Sequence, residues 1–269
     1  MRKAFIIVPN MPREDAPTVL YSYAAWSGNP NNPGSWSTPE IGRWVAPPEG
    51  NWLAGVFAEK EAPLNDPNVA AWSSAGLYVI GLDQGNDYGV HRSELPAFVS
   101  WMSSHYHTAP VVEGWARSRG GMYVLNLLAE MPTLFDRVGG IAPITDGEAY
   151  DPYGIAISYT GIADPLTARK AFIATMRDRN APNKRTAALA AARVPIMLAY
   201  GTADQVVLPE PNAKAFRSAY VAHGGTQMTL IPVDGADHEL TKHFVPALRD
   251  FMLAPAGQKS VADIAGEAR

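Results

Sequence analysis

Short apolar runs alternate with amphipathic stretches along much of the chain. The apolar runs lie at residues 5–8, 19–25, 77–82, 111–115, 138–144, 195–200 and 228–233. Because they are continuous rather than alternating, they are typical of strands that are buried on both faces. The helical patterns between them lie at 93–105, 119–130, 211–223 and 244–253. This order predicts an α/β protein with a mostly parallel, doubly wound sheet, right-handed crossovers and helices on both faces.

Two segments interrupt the alternation. Residues 28–64 are rich in Pro, Gly and Asn and contain several tryptophans, which favours a functional loop. The alternative is a surface segment without a function of its own, whose tryptophans anchor it to the rest of the protein. Residues 147–193 follow a predicted strand, are helical in their Ala-rich parts and carry more basic than acidic residues. We predict that they form an inserted cap, whose charges are either a solvated helix face or an attraction for an acidic substrate.

The length of the chain, 269 residues, fits one α/β domain with such an insertion. The predicted core comprises residues 1–146 and 194–254, with the cap at 147–193 between them. The remaining residues, 255–269, are small and polar and are predicted to be a flexible tail.

Composition excludes several classes of function. The chain has no cysteine, so disulfides, thiolate metal sites and a cysteine nucleophile are ruled out. A net charge of -4 with 18% charged residues predicts no nucleic-acid or membrane partner. The apolar run at 4–8 is too short for a signal peptide, so a full-length chain is expected to be cytoplasmic. Because Gly-x-Gly and Gly-Lys are absent, we expect no nucleotide cofactor.

The segment with the clearest chemistry runs from an apolar strand at 111–115 into a helical pattern. Between them stands Ala116-Arg117-Ser118-Arg119-Gly120, which predicts a sharp strand-to-helix turn that exposes Ser118 as a nucleophile. Small residues two positions before and after the serine leave room for the turn, and Gly121 allows close helix packing. The alternative is a serine that only caps the helix.

A serine nucleophile needs a base and an acid, and both follow later predicted strands. His238 comes just after the strand at 228–233, and Asp204 comes after the strand at 195–200. The chain order is therefore Ser, Asp, His. Asp146 is the alternative acid and His243 the alternative base.

Other polar residues have simpler interpretations. His105 and His107 lie at the end of a predicted helix, which favours their side chains there, and a metal site is the less favoured alternative. His223 is predicted to end a helix, and Asp237 to orient the loop before His238. We expect no bound metal.

The three segments together resemble the α/β-hydrolase superfamily, over roughly residues 15–253. Members of that superfamily often have Gly-x-x-Asp-x-Val after a late strand, here residues 201–206, and a histidine on the last catalytic loop. The resemblance implies that Ser118 is the nucleophile, Asp204 the acid and His238 the base of an esterase- or lipase-like enzyme. The Ser-x-Gly-Gly continuation also resembles oligopeptidase-type relatives.

The resemblance further implies an oxyanion hole. One donor is the backbone N–H of Arg119, and the other comes from the loop after an early strand, where Tyr23-Ala24-Ala25 replaces the His-Gly-Gly of many relatives. The choice between Ala24, Ala25 and Trp26 stays open, since alanine restricts the backbone more than glycine does.

The predicted reaction is hydrolysis of a small carboxylic ester through an acyl-enzyme, with no cofactor. Amide or peptide hydrolysis and a non-catalytic binding protein of the same fold are the alternatives. Trp26 and Trp115 are candidate walls for an apolar or aromatic group, or else core anchors. Arg117 and Arg119 flank the serine, which raises the hypothesis of an anionic substrate.

Overall fold

The structure is a computed structural model that describes residues 2–22, 43–45, 52–58, 66–82, 94–147, 162–175, 182–239 and 245–255. The strands in these ranges are β1 (Arg2–Val8), β2 (Thr18–Ser22), β3 (Arg43–Val45), β4 (Trp52–Ala58), β5 (Val79–Leu82), β6 (Val112–Arg117), β7 (Phe135–Ile141), β8 (Ile196–Gly201) and β9 (Met228–Val233). The α-helices in the same ranges are α1 (Pro67–Ser74), α2 (Glu94–Tyr106), α3 (Gly120–Glu130), α4 (Pro165–Thr175), α5 (Thr186–Ala192), α6 (Ala215–Ala222) and α7 (Pro246–Leu253). None of these described helices has the length and apolar character needed to cross a membrane.

All the described strands belong to one sheet, in the order β3-β4-β1-β5-β2-β6-β7-β8-β9. The pairings from β2 through β9 are parallel, as is the pairing of β1 with β4. Only the β1–β5 and β3–β4 pairings among those described are antiparallel. The predicted mostly parallel, doubly wound sheet is confirmed. Because β6 to β9 are parallel neighbours, the loops that follow them meet at one edge of the sheet.

Helices cover both faces of the sheet, as predicted. On one face α2, α3, α5 and α6 contribute side chains to the same core as strand residues such as Ile6, Leu20 and Ile80. On the other face α1 and α7 pack against the alternate residues, including Phe5 and Val19. Neighbouring residues of a central strand therefore lie in the two cores on opposite faces of the sheet. This explains why the apolar runs in the sequence are continuous.

Two strands lie inside the segment that was predicted to be a loop, residues 28–64. β4 pairs with β1 in parallel, and β3 pairs with β4, so the loop interpretation is wrong for these residues. The Pro, Gly and Asn around the short apolar run of β4 concealed it, because these residues are typical of turns. The rest of the segment lies outside the described residues.

β7 also begins and ends three residues earlier than the predicted strand at 138–144. The extended conformation stops at Ala142, which has a φ of 43° and whose N–H donates to Ala199 O at 2.8 Å. Ala142 and Ile144 are nevertheless buried. The apolar run continues into the loop because these loop residues belong to the core.

The predicted cap at 147–193 ends in a helix, α5, that packs against α3 and α6. Leu189 of α5 is fully buried and belongs to the same core as α3, and Thr186 is buried beside it. The residues at 148–161 and 176–181 lie outside the described part. The cap and the tail at 255–269, of which only Pro255 is described, therefore stay predictions.

A carboxyl group is buried near the amino end of β6. The side chain of Glu113 is 1% exposed, and its Oε1 lies 3.6 Å from Nε of Arg137 on β7. Arg137 also donates to the carbonyl oxygens of Phe251 and Pro255, at the end of α7. Burial raises the pKa of Glu113 to about 8, although the charge of Arg137 opposes this rise.

This raised pKa predicts a pH-dependent stability. The folded state holds a proton on Glu113 that the unfolded chain, with an ordinary pKa of 4.5, releases earlier. The stabilisation that the protonated Glu113 side chain gives the folded state is therefore complete below pH 4.5. It is lost as the pH rises through about 8. Glu113→Gln, which cannot ionise, is expected to remove a decline on the order of 5 kcal/mol in the free energy of unfolding.

Urea unfolding at several pH values between these limits measures the effect, with Glu14→Gln, a change at an exposed site, as the matched control. Parallel stability curves for the wild type and Glu113→Gln would contradict the prediction.

Candidate active site

Ser118 stands on a strained turn directly after β6. Its φ is 48°, in the left-handed region that non-glycine residues rarely adopt and that costs on the order of 1–2 kcal/mol. Two backbone hydrogen bonds hold the turn in place: Ser118 N–H donates to Ile141 O at 3.1 Å, and Ile144 N–H donates to Ser118 O at 2.8 Å. The predicted sharp turn is therefore present, and the end of β7 fixes it.

Small residues allow the turn to lie against β7 and the loop after it. Gly140 is paired with Ala116 across the two strands, and a Cβ on Gly140 would overlap Ala116 O. A Cβ on Gly121 would likewise overlap Pro143. The close approach predicted for Gly121 is therefore present, and its partner is the loop after β7.

The turn leads at once into α3. Arg119 occupies the N-cap position with helical backbone angles (φ −57°, ψ −28°), and the residues of α3 from Gly120 to Leu128 are buried. N–H groups at the start of a helix have no carbonyl of the same helix to bond, and they carry a partial positive charge. The amino end of α3 therefore places N–H donors next to Ser118.

Asp204 follows β8 and is almost completely buried, with 1% exposure. Its Oδ1 accepts hydrogen bonds from the backbone N–H groups of Val206 and Val207, both at 2.8 Å. These bonds fix the carboxylate plane, so that Oδ2 lies 2.9 Å from Nδ1 of His238. The acid and the base predicted from sequence are in contact.

His238 follows β9 and connects the acid to the serine. Its Nε2 lies 3.1 Å from Ser118 Oγ, on the opposite side of the ring from Asp204. The imidazole is 17% exposed. The structure thus brings together all three side chains, from three loops at the same edge of the sheet.

The loops that carry Asp204 and His238 are bonded to each other. Ala203 N–H donates to Ala236 O at 2.9 Å. The Thr202 hydroxyl accepts from Gly235 N–H at 2.8 Å and lies 3.2 Å from an oxygen of Asp234. These bonds hold the two loops at a fixed distance, which maintains the contact between the carboxylate and the imidazole.

The alternative acid, Asp146, has a different role in the structure. Its backbone N–H and that of Thr145 donate to Oδ1 of Asn212, at 3.1 and 3.0 Å. Asp204 is the carboxylate that contacts His238. Asp237 orients its loop, as predicted, because its Oδ1 accepts from Glu239 N–H at 2.8 Å. His243, the alternative base, lies outside the described residues.

Two other described histidines, His105 and His223, fit their structural interpretations. His105 lies in the last turn of α2, with its Nδ1 3.0 Å from Trp101 O and its ring against the indole of Trp101. His223 is the C-cap of α6. Among the described residues, no group of three His, Asp or Glu side chains is arranged to hold a metal ion.

The structure corrects two of the residues predicted to contact substrate. Trp115 is 1% exposed and packs edge to face on Trp72, with ring centroids 4.8 Å apart, so it is a core anchor. Arg117 directs its buried guanidinium at two carboxylates of the chain itself, Asp66 and Glu239, rather than at a substrate anion. Both side chains are held by contacts between elements that the sequence pattern does not reveal.

The other predicted residues have separate outcomes. Arg119 is half-buried beside Ser118, as its position in the turn requires. Ala24, Ala25 and Trp26 lie outside the described residues. Sequence reasoning also missed Asp66, Glu239 and Asn212, because their partners come from distant parts of the chain.

The mostly parallel sheet and the strained turn after β6 define an α/β-hydrolase. The model of the prolyl oligopeptidase family matches residues 93–249, which is more than half of the chain. The chain therefore belongs to the prolyl oligopeptidase family and has the α/β-hydrolase fold. No curated protein matches it.

Solved structures share this fold with low sequence identity. A puromycin-hydrolyzing peptidase from Mycobacterium tuberculosis is 17% identical with a TM-score of 0.62, over 96% of this chain and 37% of that chain. An acylaminoacyl peptidase from Pyrococcus horikoshii is 11% identical with a TM-score of 0.60, over 98% of this chain and 41% of that chain. A monoacylglycerol lipase from Paleococcus ferrophilus is 12% identical with a TM-score of 0.57, over 94% of this chain and 98% of that chain. The chain thus spans well under half the length of the two peptidases.

Proposed function

We propose that the protein hydrolyses small carboxylic esters through an acyl-enzyme on Ser118. The observation that carries the proposal is the continuous contact from Asp204 Oδ2 through both nitrogens of His238 to Ser118 Oγ, at 2.9 and 3.1 Å. These distances allow a proton to move between the serine and the imidazole.

In the first half-reaction, His238 Nε2 takes the proton from Ser118 Oγ while Oγ bonds to the carbonyl carbon of the ester. The tetrahedral intermediate then breaks its bond to the alcohol oxygen, which receives the proton from His238. In the second half, His238 takes a proton from water, the resulting hydroxide attacks the acyl carbon, and Ser118 leaves with the proton. Acid and alcohol are the products.

Asp204 keeps His238 in the tautomer that this sequence needs. An ionised carboxylate accepts a hydrogen bond, so the proton on Nδ1 faces Asp204 and Nε2 is left to act as the base. The same carboxylate stabilises the positive imidazolium once the serine proton has moved. Its burial strengthens this electrostatic effect.

Two groups of backbone N–H donors are candidates for the oxyanion hole. The first is Arg119 N–H, at the amino end of α3 beside the serine. The second comprises Ala24 and Ala25, which lie outside the described residues; they are candidates because they follow β2 in the sequence, and β2 ends beside the turn, with Ser22 paired to Ala116. A donor in such a site contributes about 3 to 4 kcal/mol to transition-state stabilisation.

Peptide or amide hydrolysis is the second candidate, and the match to the prolyl oligopeptidase family favours it. An ester remains our first choice, because an alkoxide leaving group needs less protonation than an amine. The two proposals share the same nucleophile and differ in the leaving group that His238 must protonate.

The two can be separated with chromogenic substrates that carry the same acyl groups, including apolar and aromatic ones. We expect kcat/KM for p-nitrophenyl esters to exceed that for the matching p-nitroanilides by at least about a hundredfold, a difference of about 3 kcal/mol in activation free energy that includes the better leaving group of the ester. Comparable or higher kcat/KM on acyl-dipeptide anilides would favour the peptidase assignment. The absence of turnover on both classes would contradict hydrolysis altogether.

A further inference from the structure

A buried guanidinium connects the two catalytic loops beside the contact between serine and histidine. Arg117 is the last residue of β6 and immediately precedes Ser118, and its side chain is 9% exposed. Nη1 lies 3.8 Å from Oδ2 of Asp66, and Nη2 lies 3.7 Å from Oε2 of Glu239. Glu239 immediately follows His238. The guanidinium therefore joins the residue before the nucleophile to the residue after the base.

The Asp66 side of this arrangement is rigid. Asp66 is 6% exposed in its side chain, accepts the hydroxyl hydrogen bond of Tyr21 at 2.7 Å through Oδ2, and caps α1 by accepting Asn68 N–H at 2.9 Å through Oδ1. Its carboxylate is thus fixed by β2 and by α1 together. Because the anion is fixed, it also fixes the guanidinium of Arg117.

The Glu239 side is more open. Its side chain is 49% exposed, and its backbone N–H donates to Asp237 Oδ1. The ion pair spans the same gap as the contact of 3.1 Å between His238 Nε2 and Ser118 Oγ, since Arg117 immediately precedes Ser118 and Glu239 immediately follows His238. It is therefore a second link between the turn after β6 and the loop after β9.

We infer that the Arg117–Glu239 ion pair holds the imidazole of His238 in register with Ser118 Oγ. Both are positioning residues, since neither touches the reacting atoms. The inference rests on the hydrolysis proposed above, in which a base must stay within hydrogen-bond reach of the serine. A small displacement of a catalytic group lowers the rate more than it lowers substrate binding.

Glu239→Gln tests this role, because it keeps the size of the side chain and removes its charge. With p-nitrophenyl acetate as the substrate, kcat is expected to fall about three- to tenfold while KM changes less than twofold. Glu239→Lys, which places like charges together, is expected to lower kcat further. The midpoint of urea unfolding is expected to stay unchanged in Glu239→Gln, because this residue is half exposed.

A matched control is available at another Glu–Arg pair. Glu130, in the last turn of α3, pairs with Arg185, far along the helix from Ser118. Glu130→Gln removes the same charge from the same type of contact. We expect its kcat to equal that of the wild type within twofold.

A double-mutant cycle assigns the effect to the ion pair. In an Arg117→Met background, Glu239→Gln is expected to cause no further loss of kcat. Since Arg117→Met leaves Asp66 without this cation, an Arg117→Lys variant provides a milder test. Lysine keeps the charge and should retain more of the wild-type kcat than methionine does.

Three results distinguish failure of the inference about the Arg117–Glu239 ion pair from failure of the proposed hydrolysis. If the wild type turns over the ester and Glu239→Gln has the same kcat, the inference is overturned and the proposed function stands. An equal loss in the wild-type and Arg117→Met backgrounds also overturns it. If the wild type neither turns over the ester nor reacts at Ser118 with a phosphonate, the proposed function fails, and the inference fails with it.

Discussion

Replacing Ser118 with alanine is expected to lower kcat/KM for an activated aryl ester by roughly 10⁴- to 10⁶-fold. The substitution removes the only atom that forms the covalent bond in the proposed reaction. Alanine keeps a Cβ, and the backbone of the turn is held by hydrogen bonds to Ile141 and Ile144. The fold should therefore be retained, and circular dichroism and urea unfolding can verify this.

A buried serine away from the site provides the control. Ser73 in α1 is 1% exposed, and Ser73→Ala should change kcat/KM less than twofold. Wild-type turnover in Ser118→Ala would exclude Ser118 as the nucleophile. A comparable loss in both variants would indicate general damage to the protein rather than loss of the nucleophile.

The second large effect is expected for Asp204→Asn, which should lower kcat roughly 10³- to 10⁴-fold. The asparagine carbonyl can still accept from Val206 and Val207, so the loop should keep its shape. Its amide, however, would donate to His238 Nδ1. The ring proton would then lie on Nε2, where it prevents the imidazole from acting as the base toward Ser118.

Asp146→Asn is the matched control for this substitution. Its backbone N–H, rather than its carboxylate, makes the described contact with Asn212, and the change should leave kcat within about threefold. Steady-state kinetics of both variants on the same ester measure the difference. A large loss in Asp146→Asn with a small loss in Asp204→Asn would reverse the assignment of the acid.

The sequence allowed the three candidate catalytic residues to be found because each has a local signal. Ser118 stands between an apolar strand and a helix with small residues around it, and Asp204 and His238 each follow a continuous apolar run. Parallel strands end at the same edge of a sheet, so three such loops converge. The position of each residue directly after a strand was therefore enough to predict that the three side chains lie close together.

Other features depend on contacts between distant residues and could not be predicted. β4 joins the sheet through pairing with β1, which compensates for the turn-forming residues around it. Arg117 carries a charge that suggested a substrate anion, yet Asp66 and Glu239 neutralise it from two other elements. Nothing in the local pattern distinguishes an arginine that binds substrate from one that joins two loops.

Reaction with a fluorophosphonate followed by mass spectrometry tests whether Ser118 is an activated nucleophile. A fluorophosphonate reacts with a serine whose proton is taken by a base. We predict one phosphonate per chain, located on the peptide that contains Ser118, and no label on Ser118→Ala. A label on another residue, or an unlabelled wild-type protein, would show that Ser118 is not the activated nucleophile.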